Sequence, residues 1–370
     1  MFNALSAKVG ALFNRQGAGF TVPILDGAYR PNNLIEQAAI YGEHAELEDI
    51  TLGPGGELYA ACGTSVMQVS ESGDFTPVAT FDHVVTALAY MPAGTLAVAF
   101  GTNVIVAPGT ANQKIIDSAD GKPFVAVNAL QANMDGSLLI CDGSETCPYG
   151  EWSRDLLEKG KTGRLVRYDH VGGKTATMAS GLAYAFGAHV DTQNRVLVSE
   201  SWRHQVSAVN EGRTTPAIVG LPGYPSRMAP AEGGGFWLSL FATRTLLMEF
   251  ILRETDYRQE MMRTMEPEYW VAPALSSGKD FREPLQGGGV KQMGILKPWA
   301  PPRSYGLVVR YDADLMPLFS LHSRAGGENH GIVAIVERGD DLFLASKGSG
   351  RLLRLSLSEI KAAKALEAGI

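Results

Sequence analysis

Cysteine is scarce in this chain: 370 residues hold three, Cys62, Cys141 and Cys147. An odd count with no secretion-type leader argues against a disulfide framework. Cys141 and Cys147 lack the C-x-x-C spacing of a metal or redox pair, so buried thiols are expected. Long apolar runs are also missing. None approaches the roughly 18 residues of a membrane-spanning helix, and the first twenty residues contain no continuous apolar core of signal-peptide length. The expectation is a cytoplasmic protein with no membrane partner. There is no basic block either. The net charge is −7, and without a positive stripe to release counterions nucleic acid is excluded as a partner.

Glycine, by contrast, is plentiful at 42 residues, and much of it falls in a recurring unit: a small-residue turn followed by a short apolar run. Six copies are visible, at Gly55–Ala60, Ala93–Val98, Asp135–Ile140, Gln193–Val198, Gly233–Leu238 and Gly339–Leu344. Gly, Asn and Asp are what a tight hairpin turn with positive φ requires, and the runs after them are strand-like. A second apolar strand follows each copy: Ser65–Val69, Asn103–Ala107, Arg164–Tyr168, Gln205–Val209, Gly306–Tyr311 and Gly350–Leu355. Three or four short antiparallel strands, repeated six times, describe an all-β six-bladed β-propeller.

The second turn residue of each copy falls at 56, 94, 136, 194, 234 and 340. The gap from 234 to 340 holds an insertion, about 243–303, that begins as an amphipathic helix and ends in a Gly- and Pro-rich loop. Such an insertion reads as a lid over the pocket mouth, or as a surface for a partner protein or self-association. Its Met261, Met262 and Met265 line either a pliable pocket or the helix's core face. A shorter helix is expected at Glu151–Lys159 and another at Leu357–Leu366. The propeller is assigned to 45–358, the C-terminal helix to 359–370, and 1–44 to an N-terminal segment whose strand-like Gly19–Leu25 is the candidate for closing the ring.

In a propeller the innermost strand of each blade precedes the turn and lines the channel. Eight residues back from each turn position lie Glu48, Thr86, Asn128, Phe186, Ser226 and Ile332, one per blade. Asp49, Ala87, Ala129, Gly187, Arg227 and Val333 follow them with alternate facing. A carboxylate, a carboxamide and a hydroxyl converging on one axis make either a polar binding site or channel polars satisfied around ordered water. His330 precedes Ile332 by two residues and His189 follows Phe186 by three. Elsewhere, Asp142 reads as a turn cap, Trp202–His204 as packing between blades, and Asp82–His83 as a loop pair.

Several stretches resemble one family. Lys161–Asp169 (KTGRLVRYD), Gly181–Gly187 (GLAYAFG), Leu221–Arg227 (LPGYPSR), Gly235–Leu240 (GFWLSL) and Pro301–Val308 (PPRSYGLV) are similar, in order, to motifs of the strictosidine synthase-like proteins, relatives of gluconolactonases and paraoxonases. The resemblance covers about Glu48–Leu355. It implies the six-bladed propeller and a small-molecule pocket at the channel mouth. The hydrolytic relatives hold a divalent ion there, usually calcium, on a Glu, Asn residues and an Asp. Glu48 and Asn128 match two of those ligands. Phe186 and Ser226 stand where the other two would be, with Arg227 in place of a following Asn. The resemblance therefore implies either no cofactor or a weakly bound divalent cation such as Ca2+ on Glu48 and Asn128. The glutamate through which a true strictosidine synthase moves protons falls near Val333 and is absent, so that activity is excluded.

Three functions follow for a small-molecule partner. The first is a lactone or ester hydrolase: Glu48 as base or water-orienting group, Arg227 or a weakly held ion at the oxyanion, His330 or His189 shuttling protons, and Thr86, Asn128, Phe186, Ser226 and Ile332 against substrate. The second is a metal-free lyase, isomerase or condensing enzyme in the same pocket, with Glu48 and His330 as acid and base. The third is a non-catalytic binding propeller. If Arg227 lies within a few ångströms of Glu48, it claims the carboxylate and disfavours a divalent ion, and weak or absent metal binding is expected.

Overall fold

A computed structural model describes residues 22–284, 291–292, 295–296 and 303–368. The repeats form six four-stranded antiparallel sheets arranged as a propeller. Their inner strands are Leu47–Leu52, Ala87–Met91, Val127–Ala132, Ala185–Val190, Gly223–Pro230 and Ile332–Arg338, which define blades 1 to 6. The turn at the end of each inner strand carries the expected left-handed residue: Gly56, Gly94, Gly136, Asn194 and Gly234 all have positive φ, and in the last blade Gly339 takes that role one position early. Each blade buries apolar side chains against its neighbours. One such layer joins Trp237, Ile335 and Leu342 to Leu353 and Ile360.

The ring closes differently from the sequence expectation. The fourth strand of blade 6 is Ala39–Glu43, paired antiparallel with Arg351–Ser356. Of the candidate Gly19–Leu25, residues 22–25 are not in a strand and the others lie outside the described residues. The chain enters along the outer edge of blade 6 and turns at His44, whose N–H donates to Gly350 O at 2.8 Å, directly into blade 1. Ala39–Glu43 is mostly exposed at this edge and so lacks the apolar alternation that marks a strand in sequence.

Two insertions sit on one mouth of the channel. Between the second and third strands of blade 3 lies α1 (Trp152–Glu158), preceded by a 3-10 turn at Tyr149–Glu151. Within blade 5 the chain leaves strand Phe236–Thr243, forms α2 (Leu246–Ile251) and α3 (Thr255–Thr264), and returns at Leu307–Tyr311. The expected single helix is thus two short ones. Thr245 caps α2, its side chain accepting from Met248 N–H. Met261 is buried with Trp270, Phe241 and Tyr224, the core-face alternative, while Met265 is exposed. The C-terminal helix, α4, spans Leu357–Ala368. Among the described residues no helix is long and apolar enough to cross a membrane.

Candidate functional site

A common irregularity places the side chains at the mouth. In five of the six inner strands the ladder to the second strand skips residues at the same depth. The skipped residues are Glu48, Asn128, Phe186 with Gly187, Ser226 with Arg227, and Val333. Bulges of this kind re-aim side chains and carbonyls out of the ladder. They also correct one expectation: the residue of blade 6 at this depth is Val333, not Ile332, which is buried between blades with Trp237 and Leu344. Gly187 is where blade 5 comes closest, since a Cβ there would lie 2.4 Å from Ser226 O and 2.7 Å from Arg227 Cα.

Glu48 is buried at the mouth, one carboxylate oxygen accepting from the Tyr149 hydroxyl and the other paired with the Lys347 ammonium. Lys347 Nζ also donates to Tyr149 Oη at 3.1 Å, closing a carboxylate–phenol–ammonium triangle. Burial, then the Glu48 charge, holds the Tyr149 phenol well above its ordinary pKa, so it keeps its proton. Around the triangle stand Trp152, Tyr184, Phe186, Phe241, Val333 and, from the blade 5 insertion, Leu275. They leave a space of about 20 Å³, room for a water molecule. The Leu275 carbonyl lies against Gly331 and Gly348, where a Cβ would meet it at 2.7 and 1.9 Å. Anything larger than water is therefore admitted only if part of this wall moves.

Arg227 lies on the axis below this space. Its Nη2 donates to the carbonyls of Thr86 (2.7 Å) and Asn128 (2.5 Å), and its Nη1 to those of Glu48 (3.3 Å) and Val333 (3.5 Å). Nε is 3.4 Å from Asp49 Oδ1, an ion pair too poorly aimed for a hydrogen bond. Nη2 is 3.8 Å from Glu48 Oε1. The guanidinium also lies over the Phe186 ring, 5.2 Å from its centroid. Beyond it the channel continues to the opposite mouth as a space of about 210 Å³ bordered by Asp49, Gln131 and Glu337.

Burial pushes the Asp49 carboxyl from 3.8 up to about 6, although Arg227 and the N–H groups of Leu88 and Ile50 pull it down. Between pH about 4 and 6 folded Asp49 holds a proton that the unfolded chain has released. Its contribution to stability therefore falls as pH rises through that window, by about 3 kcal/mol. Asp49→Asn removes this slope. The variant should trail the wild type most near pH 4 and least near neutrality when urea midpoints are compared. A gap that stays constant across the window contradicts the assignment.

The remaining sequence candidates are placed elsewhere. Thr86 Oγ1 donates to Val127 O at 2.7 Å and accepts from Gly101 N–H at 3.0 Å, tying blade 2 to blade 3. Ser226 Oγ bonds Ser239 Oγ at 2.8 Å within its own blade. Asn128 is fully buried beside Gly143, its side-chain amide directed at the Tyr184 phenol. His330 is not brought to Glu48: its Nε2–H donates to Arg324 O (2.8 Å) and Nδ1 accepts from Ser304 Oγ (2.7 Å). His189 packs on Phe236, and burial pushes its pKa down to about 4. Neither histidine is in position to shuttle protons at the triangle. The three cysteines are free and buried. Trp202 stacks on Tyr184, 4.5 Å between centroids, and donates to Asp155 at 2.6 Å, in keeping with packing. Asp82 and His83 are exposed in a loop.

A divalent cation does not fit this donor set. The Glu48 carboxylate carries an ammonium and a phenol, Asp49 faces a guanidinium, and four converging carbonyls accept from that same guanidinium. A hard cation needs about 6–8 oxygens free of such competitors. Among the described residues no three His, Cys, Asp or Glu side chains are grouped to hold a metal ion.

No family model matches the chain. Among curated proteins, strictosidine synthase-like 10 of Arabidopsis thaliana is 28% identical over 171 residues, 44% of this chain and 46% of that one. Strictosidine synthase-like 6 of the same plant is 25% identical over 252 residues, 67% of this chain and 59% of that one. The human adipocyte plasma membrane-associated protein is 24% identical over 185 residues, 45% and 44%. The chain spans about half the length of these relatives. Among solved structures, a gluconolactonase from Xanthomonas campestris has a TM-score of 0.55 at 13% identity, covering 92% of this chain and 98% of that one. A calcium-binding protein, regucalcin, from Agrobacterium tumefaciens has a TM-score of 0.53 at 12% identity, covering 85% and 90%. At such identities the likeness is one of fold. The chain is thus a six-bladed β-propeller with strictosidine synthase-like homologues and gluconolactonase-type structural neighbours.

Proposed function

We propose that this chain is an enzyme that hydrolyses a small lactone or ester at the Glu48 mouth without a divalent metal. The observation that carries the reading is the Glu48–Tyr149–Lys347 triangle facing an aromatic wall. Glu48 takes the proton from a water molecule as the water oxygen attacks the carbonyl carbon. Lys347 turns its ammonium to the oxygen that becomes negative. As the ester C–O bond breaks, the leaving alkoxide takes a proton from Tyr149, which regains it from Glu48. Arg227, with its Nη groups on backbone carbonyls, is not the oxyanion group named from sequence; Lys347 takes that place. Gluconolactonase-type neighbours support the reaction class, and the small mouth supports a substrate that enters as part of its wall moves.

A panel of lactones and esters, assayed by pH-stat in the presence of a chelator, tests the reading. The expected result is turnover of at least one substrate at a rate indifferent to chelator. Turnover that needs added calcium, or elimination or isomerisation products in place of acids, would falsify it.

A further inference from the structure

We infer that the guanidinium of Arg227 is the ring's own axial cation, filling a cage of backbone oxygens that otherwise binds a free cation. The cage is a product of the bulges. Glu48, Asn128 and Val333 are skipped in their ladders, and their carbonyls, with that of Thr86, accept from the two Nη atoms at 2.5 to 3.5 Å. These oxygens come from four different blades. The carboxylates of Glu48 and Asp49 stand at 3.8 and 3.4 Å from the same group. All the residues involved are buried.

Four carbonyl dipoles and two carboxylates aimed at one buried point require a positive occupant, because unpaired buried acceptors and charges are costly. A guanidinium meets that need with a planar fork of five donors. Here the four Nη hydrogens serve four carbonyls and the Nε edge faces the fifth oxygen. The occupant arrives from blade 5, and only glycine at 187 lets that strand approach. Without the Arg227 side chain, four carbonyls and Asp49 Oδ1 are left facing a vacated centre, with Glu48 Oε1 still accepting from Tyr149, so water must complete the roughly 6–8 oxygens calcium takes. The expected ligand of the vacated cage is a guanidinium ion or a hard divalent cation. This cage lies below the Glu48 side-chain triangle, and its assignment does not depend on what reaction occurs there.

The test is thermal unfolding with and without cations. The unmodified protein should contain no stoichiometric calcium by elemental analysis, and its midpoint should ignore both calcium and chelator. Arg227→Ala should unfold many degrees lower and regain several degrees with millimolar guanidinium or with calcium. Stoichiometric calcium in the unmodified protein overturns the inference, as does an Arg227→Ala midpoint that is unchanged, or one that is lowered and deaf to both cations. Should Arg227→Ala be recovered only unfolded, Arg227→Lys decides. The ammonium keeps the charge but not the fork, so a lowered midpoint unmoved by calcium is expected. A wild-type midpoint, or a rise with calcium, refutes the cage.

Discussion

Asp142→Ala will cost about 3–5 kcal/mol of stability, the usual consequence of stranding one partner of a buried ion pair. Asp142 and Arg164 are both essentially without solvent contact, and Arg164 Nη2 lies 2.6 Å from Asp142 Oδ2. The other carboxylate oxygen accepts from Ala126 N–H at 2.8 Å and Val125 N–H at 3.3 Å. Arg164 also donates to Pro123 O at 2.8 Å and lies over the Phe124 ring. The pair therefore pins the connection between blades 2 and 3 to the second and third strands of blade 3. Removal of the carboxylate leaves a buried guanidinium whose remaining ion pair is with Glu145, 3.5 Å away, and two backbone donors unanswered. Urea unfolding measures the loss. A drop below about 1 kcal/mol, the range of an exposed pair, refutes the assignment. The double change Asp142→Leu with Arg164→Met should cost less than the single one, since it removes the stranded charge along with its partner.

Glu48→Gln is expected to lower kcat by about 10²–10⁴, the range of a lost general base, on whichever lactone or ester the unmodified protein turns over. The amide has the carboxylate's shape but only one acceptor for the Tyr149 hydroxyl and the Lys347 ammonium, so the melting midpoint should fall and turnover is compared well below it. The kinetic signature separates base from binding group: kcat and kcat/KM should fall together while KM stays near its original value. Lys347→Met should cost about 10²–10³ in kcat through the oxyanion. A Glu48→Gln variant with wild-type turnover removes Glu48 from the chemistry.

Much of this architecture is legible in the residues. Turn chemistry at Gly56, Gly94, Gly136, Asn194 and Gly234 is a local property, fixed by the need for positive φ, and so it marks the blades without any three-dimensional information. Counting back from those turns finds Glu48, Asn128 and Phe186 at the bulge depth, because the strands keep a common length. In blade 6 the same count stops at Ile332, one residue short of Val333, because the bulge there lies closer to its left-handed turn residue, Gly339, than Glu48 lies to Gly56 or Asn128 to Gly136. Tyr149 and Lys347 escape the count altogether. Tyr149 arrives on an insertion and Lys347 on the turn after Asp341–Ser346, and neither position is in phase with the repeat. A Tyr or Lys in a loop carries no local sign of the carboxylate it will meet. The histidines mislead for the opposite reason: they are close to the inner strands in sequence, yet each is buried among partners of its own. Ala39–Glu43 is silent because an exposed edge strand needs no apolar pattern.

The way the ring is clasped also sets how it yields to mechanical load. Ala39 pairs with Arg354 and Glu43 with Arg351, so the chain leading into Ala39 and the chain leaving Ser356 depart from the same end of the two-strand seam. Tension applied through those two segments peels the seam one hydrogen bond at a time instead of shearing all of them together. Blade 6 thus becomes the ring's tear line. A pull on the molecule opens the circle there first, between Ala39–Glu43 and Arg351–Ser356, while the other five blades still hold their four strands.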